Sequence, residues 1–128
     1  MKKHLVIFFV LLILLTAAKS FAAPLSFDEA LADKKLTLVL ITAPWSTSSI
    51  IATNNFNALK KVHGDACNYV ILDIASKDAQ SYNSKYAFFP NIPYLMMFKN
   101  KAKIQLFVPQ SCVLDNACIM KKTSNFLH

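Results

Sequence analysis

Apolar and polar positions along this chain fall into blocks whose period changes, and the changes mark out its elements. Leu36 to Thr42 (Leu-Thr-Leu-Val-Leu-Ile-Thr) carries no charge and no glycine, the pattern of a strand buried on both faces at the centre of a parallel or mixed sheet. Pro44 ends it. Ser46, Thr47 and Ser48 are N-cap residue types, and Ile50, Ile51, Phe56, Leu59 and Val62 follow at near-helical spacing, which predicts a helix from about Ser48 to Val62. His63-Gly64-Asp65 closes that helix, and Gly64, the one glycine of the sequence, suits a C-terminal cap. Asn68 to Ile74 reads as a second buried strand. Ser76 to Tyr86 is polar except for a stripe of Ala79, Tyr82 and Tyr86, a helix lying over the sheet. Tyr94 to Phe98 and Lys103 to Val108 are apolar strands joined by Lys99-Asn100-Lys101-Ala102, an antiparallel hairpin in which Asn100 takes the left-handed conformation. Cys112 to Phe126 sets Val113, Ile119, Met120 and Phe126 among polar residues and predicts a closing helix. Upstream, Ser26-Phe27-Asp28-Glu29 has the spacing of a capping box and opens a short helix to about Asp33.

The first 22 residues follow a different rule. Lys2-Lys3-His4 precedes an apolar run from Leu5 to Leu15, and Thr-Ala-Ala-Lys-Ser-Phe-Ala-Ala-Pro follows: the n-region, h-region and small-residue site of a secretory signal peptide. Cleavage is expected after Ser20-Phe21-Ala22, leaving Ala23 first. The stretch to Ala18 is 14 residues, short of the roughly 20 that span a bilayer, so no stable membrane span is expected once the leader is gone. Residues 23–128 then make one domain of 106 residues (128 less 22), with no room for a second. The expected location is the periplasm or the secreted fraction.

Removing Lys2, Lys3 and Lys19 lowers the net charge from +7 to +4, since all 7 acidic residues lie downstream. All 14 basic residues are lysine, so the bidentate contacts of arginine to bases and phosphates are missing and no nucleic-acid partner is expected. Lys99, Lys101 and Lys103 read as a hairpin edge protected by charge.

With the elements placed, a resemblance emerges. A strand delivering Trp45-Ser46-Thr47-Ser48-Ser49 to the first turn of a helix resembles the active-site junction of the thioredoxin superfamily, where the string is Trp-Cys-x-x-Cys. Tyr86-Ala-Phe-Phe-Pro-Asn-Ile-Pro93-Tyr-Leu-Met-Met-Phe-Lys-Asn100 is similar to the family's segment holding a cis-proline, a buried strand and a turn, and 46 residues separate Ser46 from Pro93, about the family's spacing. The resemblance covers roughly Ser26 to Phe107. It implies a thioredoxin-like α/β fold, a central mixed four-stranded sheet flanked by helices in the order α, β, α, β, α, β, β, α, without the family's optional first strand. It further implies that Ile92–Pro93 is cis and lies against the junction. The two cysteine positions fall on Ser46 and Ser49, and Leu40 stands where family members carry a buried acidic residue.

A serine hydroxyl is un-ionised near neutral pH and forms no bridge to a substrate sulfur, so dithiol exchange at Ser46 and Ser49 is not expected. A hydrolase serine needs a base and an oxyanion hole; downstream of the leader only His63 and His128 are available and no Gly-x-Ser-x-Gly occurs. Ser46, Thr47 and Ser48 read first as helix caps. Trp45 is either a packing residue or the border of a peptide-docking surface. In the family the proline loop pairs its backbone with extended chains by strand addition, which needs no cysteine. A peptide-binding site of Trp45, Ser46, Ser49, Ile92 and Pro93 follows from the resemblance, with no catalytic residue and no cofactor.

Cys112 and Cys118, with five residues between them, are expected to form a local disulfide in an oxidising compartment. Cys67 is left over, and its pairing stays open. Three cysteines and two downstream histidines without clustered spacing give no metal site. The expectation is therefore an exported thioredoxin-like protein that lacks the redox dithiol and binds a protein or extended peptide as a chaperone-like or assembly factor. The alternative is a thiol-disulfide oxidoreductase or isomerase acting through Cys112/Cys118 or Cys67, and a third reading is a structural envelope protein.

Overall fold

Leu36–Thr42 forms β1, and all seven of its residues are buried, because it has a strand on each side and helices over each face. The computed structural model describes residues 25–128; the leader expected over residues 1–22 lies outside the described residues. β1 pairs in parallel with β2 (Cys67–Asp73) and antiparallel with β3 (Tyr94–Lys99), which in turn pairs antiparallel with β4 (Ile104–Val108). The sheet order is β2-β1-β3-β4. Among the described residues five α-helices surround it: α1 (Phe27–Leu31), α2 (Ser48–His63), α3 (Ala79–Lys85), α4 (Gln110–Val113) and α5 (Asn116–Leu127). The expected mixed four-stranded sheet between helices is what the chain builds.

The two-residue period of β1 divides the core. Leu36, Leu38 and Leu40 point to one face and pack with Ala52, Phe56 and Leu59 of α2 and Ile119 of α5. Val39 and Ile41 point to the other and pack with Phe27 of α1 and Tyr82 of α3. Each such side chain taken fully from water contributes roughly 1.5–3 kcal/mol. Residues 25–128 contain both clusters and the four strands of the sheet. Among the described residues no helix is long and apolar enough to cross a membrane.

Several boundaries differ from the sequence expectation, each for a local reason. β2 begins at Cys67 rather than Asn68. The helix expected from Ser76 starts at Ala79, because the Ser76 hydroxyl and amide both donate to the Asp73 carbonyl, at 2.6 and 2.9 Å, and make a turn first. The expected closing helix is two: Asp115 is extended, and its carboxylate accepts from the amides of Ala117 and Cys118 at 3.0 and 3.3 Å, so α5 has its own N-cap. In the β3–β4 hairpin Asn100 is left-handed as expected, and so are Lys101 and Ala102, with φ of 55°, 55° and 64°. Gly64 caps α2 at φ 50°, a conformation costly for a residue with a Cβ. At α1 the Ser26 hydroxyl accepts from the Glu29 amide at 3.2 Å and donates to the Glu29 carboxylate at 3.0 Å.

Cys112 and Cys118 are joined by a disulfide, with Cα atoms 5.2 Å apart, which ties α4 to α5. Closing so short a loop stabilises the chain by about 2 kcal/mol in the chain-entropy description. The Cys112→Ser/Cys118→Ser protein is expected to lose that amount in urea unfolding, and dithiothreitol to lower the wild type to the same midpoint. Equal stability of the two proteins in the absence of reductant would refute it.

Candidate functional site

At the carboxyl end of β1 the chain turns sharply: the Ser46 amide donates to the Ala43 carbonyl at 3.1 Å, and the Ser49 amide to the Ser46 carbonyl at 3.2 Å. Pro44 and Trp45 form the outer corner. Trp45 keeps 71% of its surface exposed, so it does not serve the core, and Ile50 and Ile51 beside it are exposed as well. Sparse exposed aromatics need no explanation singly, but a tryptophan with two isoleucines at one corner is an apolar surface in water.

The hydroxyl residues here do not cap α2. Its N-cap is Thr47, helical in φ and ψ, with no side-chain hydrogen bond to the helix amides. This corrects the expectation that Ser46, Thr47 and Ser48 are caps, and the physical reason is that Thr47 is itself helical where a side-chain cap needs extended backbone, while the Ser46 hydroxyl has another partner. The buried Ser49 hydroxyl accepts from the Ala43 amide at 3.3 Å, tethering the strand end to the first helical turn. The Ser46 hydroxyl lies 3.4 Å from the Ile92 carbonyl, a long hydrogen bond across 46 positions of sequence.

Ile92–Pro93 is cis, as the resemblance implied, and the Ser46–Ile92 contact brings that loop against the junction. Three side chains fix the loop from behind. The Gln110 amide, first in α4, donates to the Ile92 carbonyl at 3.1 Å. The Phe89 amide donates to the Tyr94 hydroxyl at 3.2 Å, and that hydroxyl lies 3.3 Å from the Tyr82 hydroxyl. Burial, with Tyr94 next to it, pushes the Tyr82 phenol far above its ordinary range, so the Tyr82 hydroxyl stays protonated and keeps its hydrogen to donate. Phe89 also meets Phe107 of β4, ring centroids 4.6 Å apart, both partly in solvent. On the other side of the turn an open cleft of about 430 Å³ is lined by Thr42, Ser46, Thr47, Ser49, Ile50 and Asp73 among others.

Five residues singled out from sequence, Trp45, Ser46, Ser49, Ile92 and Pro93, thus share one end of the sheet. Gln110, Tyr94 and Tyr82 were not foreseen as supports. A glutamine after a proline and tyrosines in apolar runs give no signal of a long-range partner. Leu40, three residues before Ala43, is fully buried among leucines, Phe56 and Met97, so no charge reaches the junction from beneath.

The cysteines lie elsewhere. Cys112 and Cys67 are buried in the α2 and α5 side of the core, and Cys67 is unpaired. Burial pushes the Cys67 thiol up, against smaller downward pulls from the Tyr69 hydroxyl and Lys35, the reverse of what a reactive cysteine needs. No group of three or more potential metal ligands occurs among the described residues.

No family model matches the sequence, and no curated protein matches it. Solved structures do. The J-Trx1 fragment of ERdj5 superposes with a TM-score of 0.62 at 10% identity, covering 79% of this chain and 47% of that fragment, so the chain spans about half of it. A Malassezia sympodialis thioredoxin, Mala s 13, gives 0.60 at 18% identity over 80% of this chain and 84% of that one. The germline-specific thioredoxin Deadhead of Drosophila melanogaster gives 0.56 at 14% identity over 73% and 83%. At these identities it is the path of the backbone that is shared.

Proposed function

From the thioredoxin-like α/β fold of this chain, we propose that it is an exported binding scaffold, taking an extended peptide or protein segment at the β1–α2 junction without a redox-active dithiol. In this reading Ser46 and Ser49 stand one helical turn apart where family members carry two cysteines. Their hydroxyls hold the backbone, through Ile92 and Ala43, and supply no thiolate. Leu40 leaves the junction without a buried acid to move protons. The observation that carries the reading is an exposed Trp45 next to Ser46, whose hydroxyl lies against the Ile92 carbonyl that Gln110 also holds: an apolar side chain and a held stretch of loop backbone at one end of the sheet, the two parts that strand addition uses. The leader over residues 1–22 supports export to the periplasm or beyond, and an exported protein beginning at Ala23 is the expected N-terminus.

Trp45 is the one tryptophan, so its fluorescence reports on this corner alone. Titration with a reduced, carboxymethylated polypeptide, an unfolded probe without thiols, is expected to shift the emission to the blue. Trp45→Ala, followed by anisotropy of a labelled probe, should weaken binding about tenfold or more, as buried aromatic anchors do. An unchanged spectrum at saturation, or equal binding by the variant, refutes the proposal. Oxidoreductase action through Cys112/Cys118 or Cys67 has the burial of Cys112 and Cys67 against it. Insulin-reducing turnover that Cys112→Ser abolishes would establish that function instead.

A further inference from the structure

The two edges of the sheet are unlike each other. β4, at one edge, is five residues long and leaves a turn holding Lys101 and Lys103, charges that keep other strands away. β2, at the other, is seven residues of Cys-Asn-Tyr-Val-Ile-Leu-Asp, in unbroken register with β1, with no lysine, proline, glycine or bulge. The Ile74 amide donates to the Thr42 carbonyl at 3.0 Å, which sets the phase of the parallel ladder: Asn68, Val70 and Leu72 turn their amides and carbonyls to β1. Those of Tyr69, Ile71 and Asp73 turn outward. Among the described residues only the Asp73 carbonyl finds a partner, the Ser76 hydroxyl and amide. The Ile71 side chain is 47% exposed at the middle of this edge, and a groove of about 320 Å³ lined by Leu25, Phe27, Tyr69 and Ile71, among others, runs beside it.

We infer that the β2 edge is a self-association surface, on which a second copy of this chain pairs antiparallel about a two-fold axis at Ile71 to continue the sheet. If the leader is removed as proposed, the chain ahead of the fold is too short to cover the edge itself. On the proposed cleavage only Ala23 and Pro24 precede Leu25, reaching about 7 Å against an edge of about 23 Å at roughly 3.3 Å per residue, and Pro24 has no amide to donate. The strand is complementary to itself. Ile71 meets Ile71 of the second copy in a hydrogen-bonded pair, each amide donating to the other's carbonyl, and each Asp73 amide donates to a Tyr69 carbonyl across the axis. Asp73, the one charged side chain of β2, then faces Tyr69, and the two carboxylates stand about 13 Å apart along the strands, beyond the roughly 8 Å screening length. The arrangement is isologous and closed, so it ends at the dimer.

Sedimentation equilibrium of residues 23–128 is expected to give twice the monomer mass at concentrations up to about 100 μM, corresponding to an affinity of micromolar order. Ile71→Lys should return the monomer mass with unchanged circular dichroism, and Ile104→Lys on the opposite edge should leave the dimer intact. A second measurement uses the wild type alone and so does not depend on a variant folding. Amide exchange at Ile71 and Asp73 should slow at least about tenfold with rising protein concentration, while Tyr69, whose acceptor would be the occupied Asp73 carbonyl, changes less. A monomer at every concentration, or a dimer that Ile71→Lys leaves intact, overturns the inference. So does protection of Ile71 that is independent of concentration in the 1–128 chain, which would put the leader on the edge, or protection that arises only when a foreign extended peptide is added.

Discussion

Leu40→Asp is expected to prevent folding at pH 7 and to permit it near pH 4. Leu40 is fully buried in the middle of β1, among Leu38, Phe56, Leu95 and Met97, where a carboxylate has no donor to meet it. Fully buried carboxyls without partners have pKa values raised by roughly 3–5 units; at pH 7 the cost is capped by the span from the unfolded value of about 3.9, about 4 kcal/mol, and the lost leucine contacts add about 2 kcal/mol or more. The sum rivals the whole stability of a domain this size, about 5–15 kcal/mol. The folded pKa of this aspartate would lie above its unfolded value of about 3.9. The ionisation penalty is therefore absent below pH 3.9, grows as pH rises through it and levels off above the folded pKa. Urea unfolding at pH 4 and pH 7, each against wild type, reads the difference directly. Wild-type stability at pH 7 would mean that water or a counter-charge reaches the centre of β1.

The Ser46→Cys/Ser49→Cys protein is expected to gain dithiol-disulfide exchange at the β1–α2 junction. The two positions are one turn apart at the start of α2, linked by the Ser49 amide to Ser46 carbonyl bond. Cα atoms so related lie at about 5–6 Å, within the range a disulfide spans. Residue 46 lies just ahead of the α2 N-terminus, whose dipole favours a thiolate; at a pKa near 7, as in redox-active pairs of this kind, about half is ionised at neutral pH. Turnover in insulin reduction should rise from background to a rate on the order of tenfold or more above it, limited by Leu40 where a proton-transferring acid would help. An oxidised double variant with no such activity would show that the junction geometry does not suffice, and would remove the main support for reading Ser46 and Ser49 as displaced cysteines.

What the sequence disclosed and what it withheld divide along a physical line. β1 was legible because a run of seven uncharged residues with no glycine has few ways to be satisfied other than between two strands. The hairpin was legible from its two apolar runs and Asn100. The meeting of Ser46 with Ile92 was reached only through resemblance, since a hydrogen bond across 46 positions leaves no local pattern. The division of the last helix was hidden for the opposite reason: Asp115 caps α5 by a local bond, but an aspartate among polar residues looks the same on a helix surface. The serine and threonine hydroxyls at residues 46 to 48 were misread because N-cap preference is a statement about a helix in isolation. Here Thr47 is helical rather than extended and Ser46 has the Ile92 carbonyl to contact, and the tertiary setting overrode the local choice.

The Ile92 carbonyl receives the Gln110 side-chain amide and, at longer range, the Ser46 hydroxyl, and a peptide oxygen has two lone pairs to offer. A visiting strand that sought this oxygen would find both seats taken. The Ile92 N–H, by contrast, has no acceptor among the described residues. A guest strand of the kind proposed would thus meet a loop that presents a hydrogen and withholds an oxygen, and would have to bring a carbonyl of its own to that point.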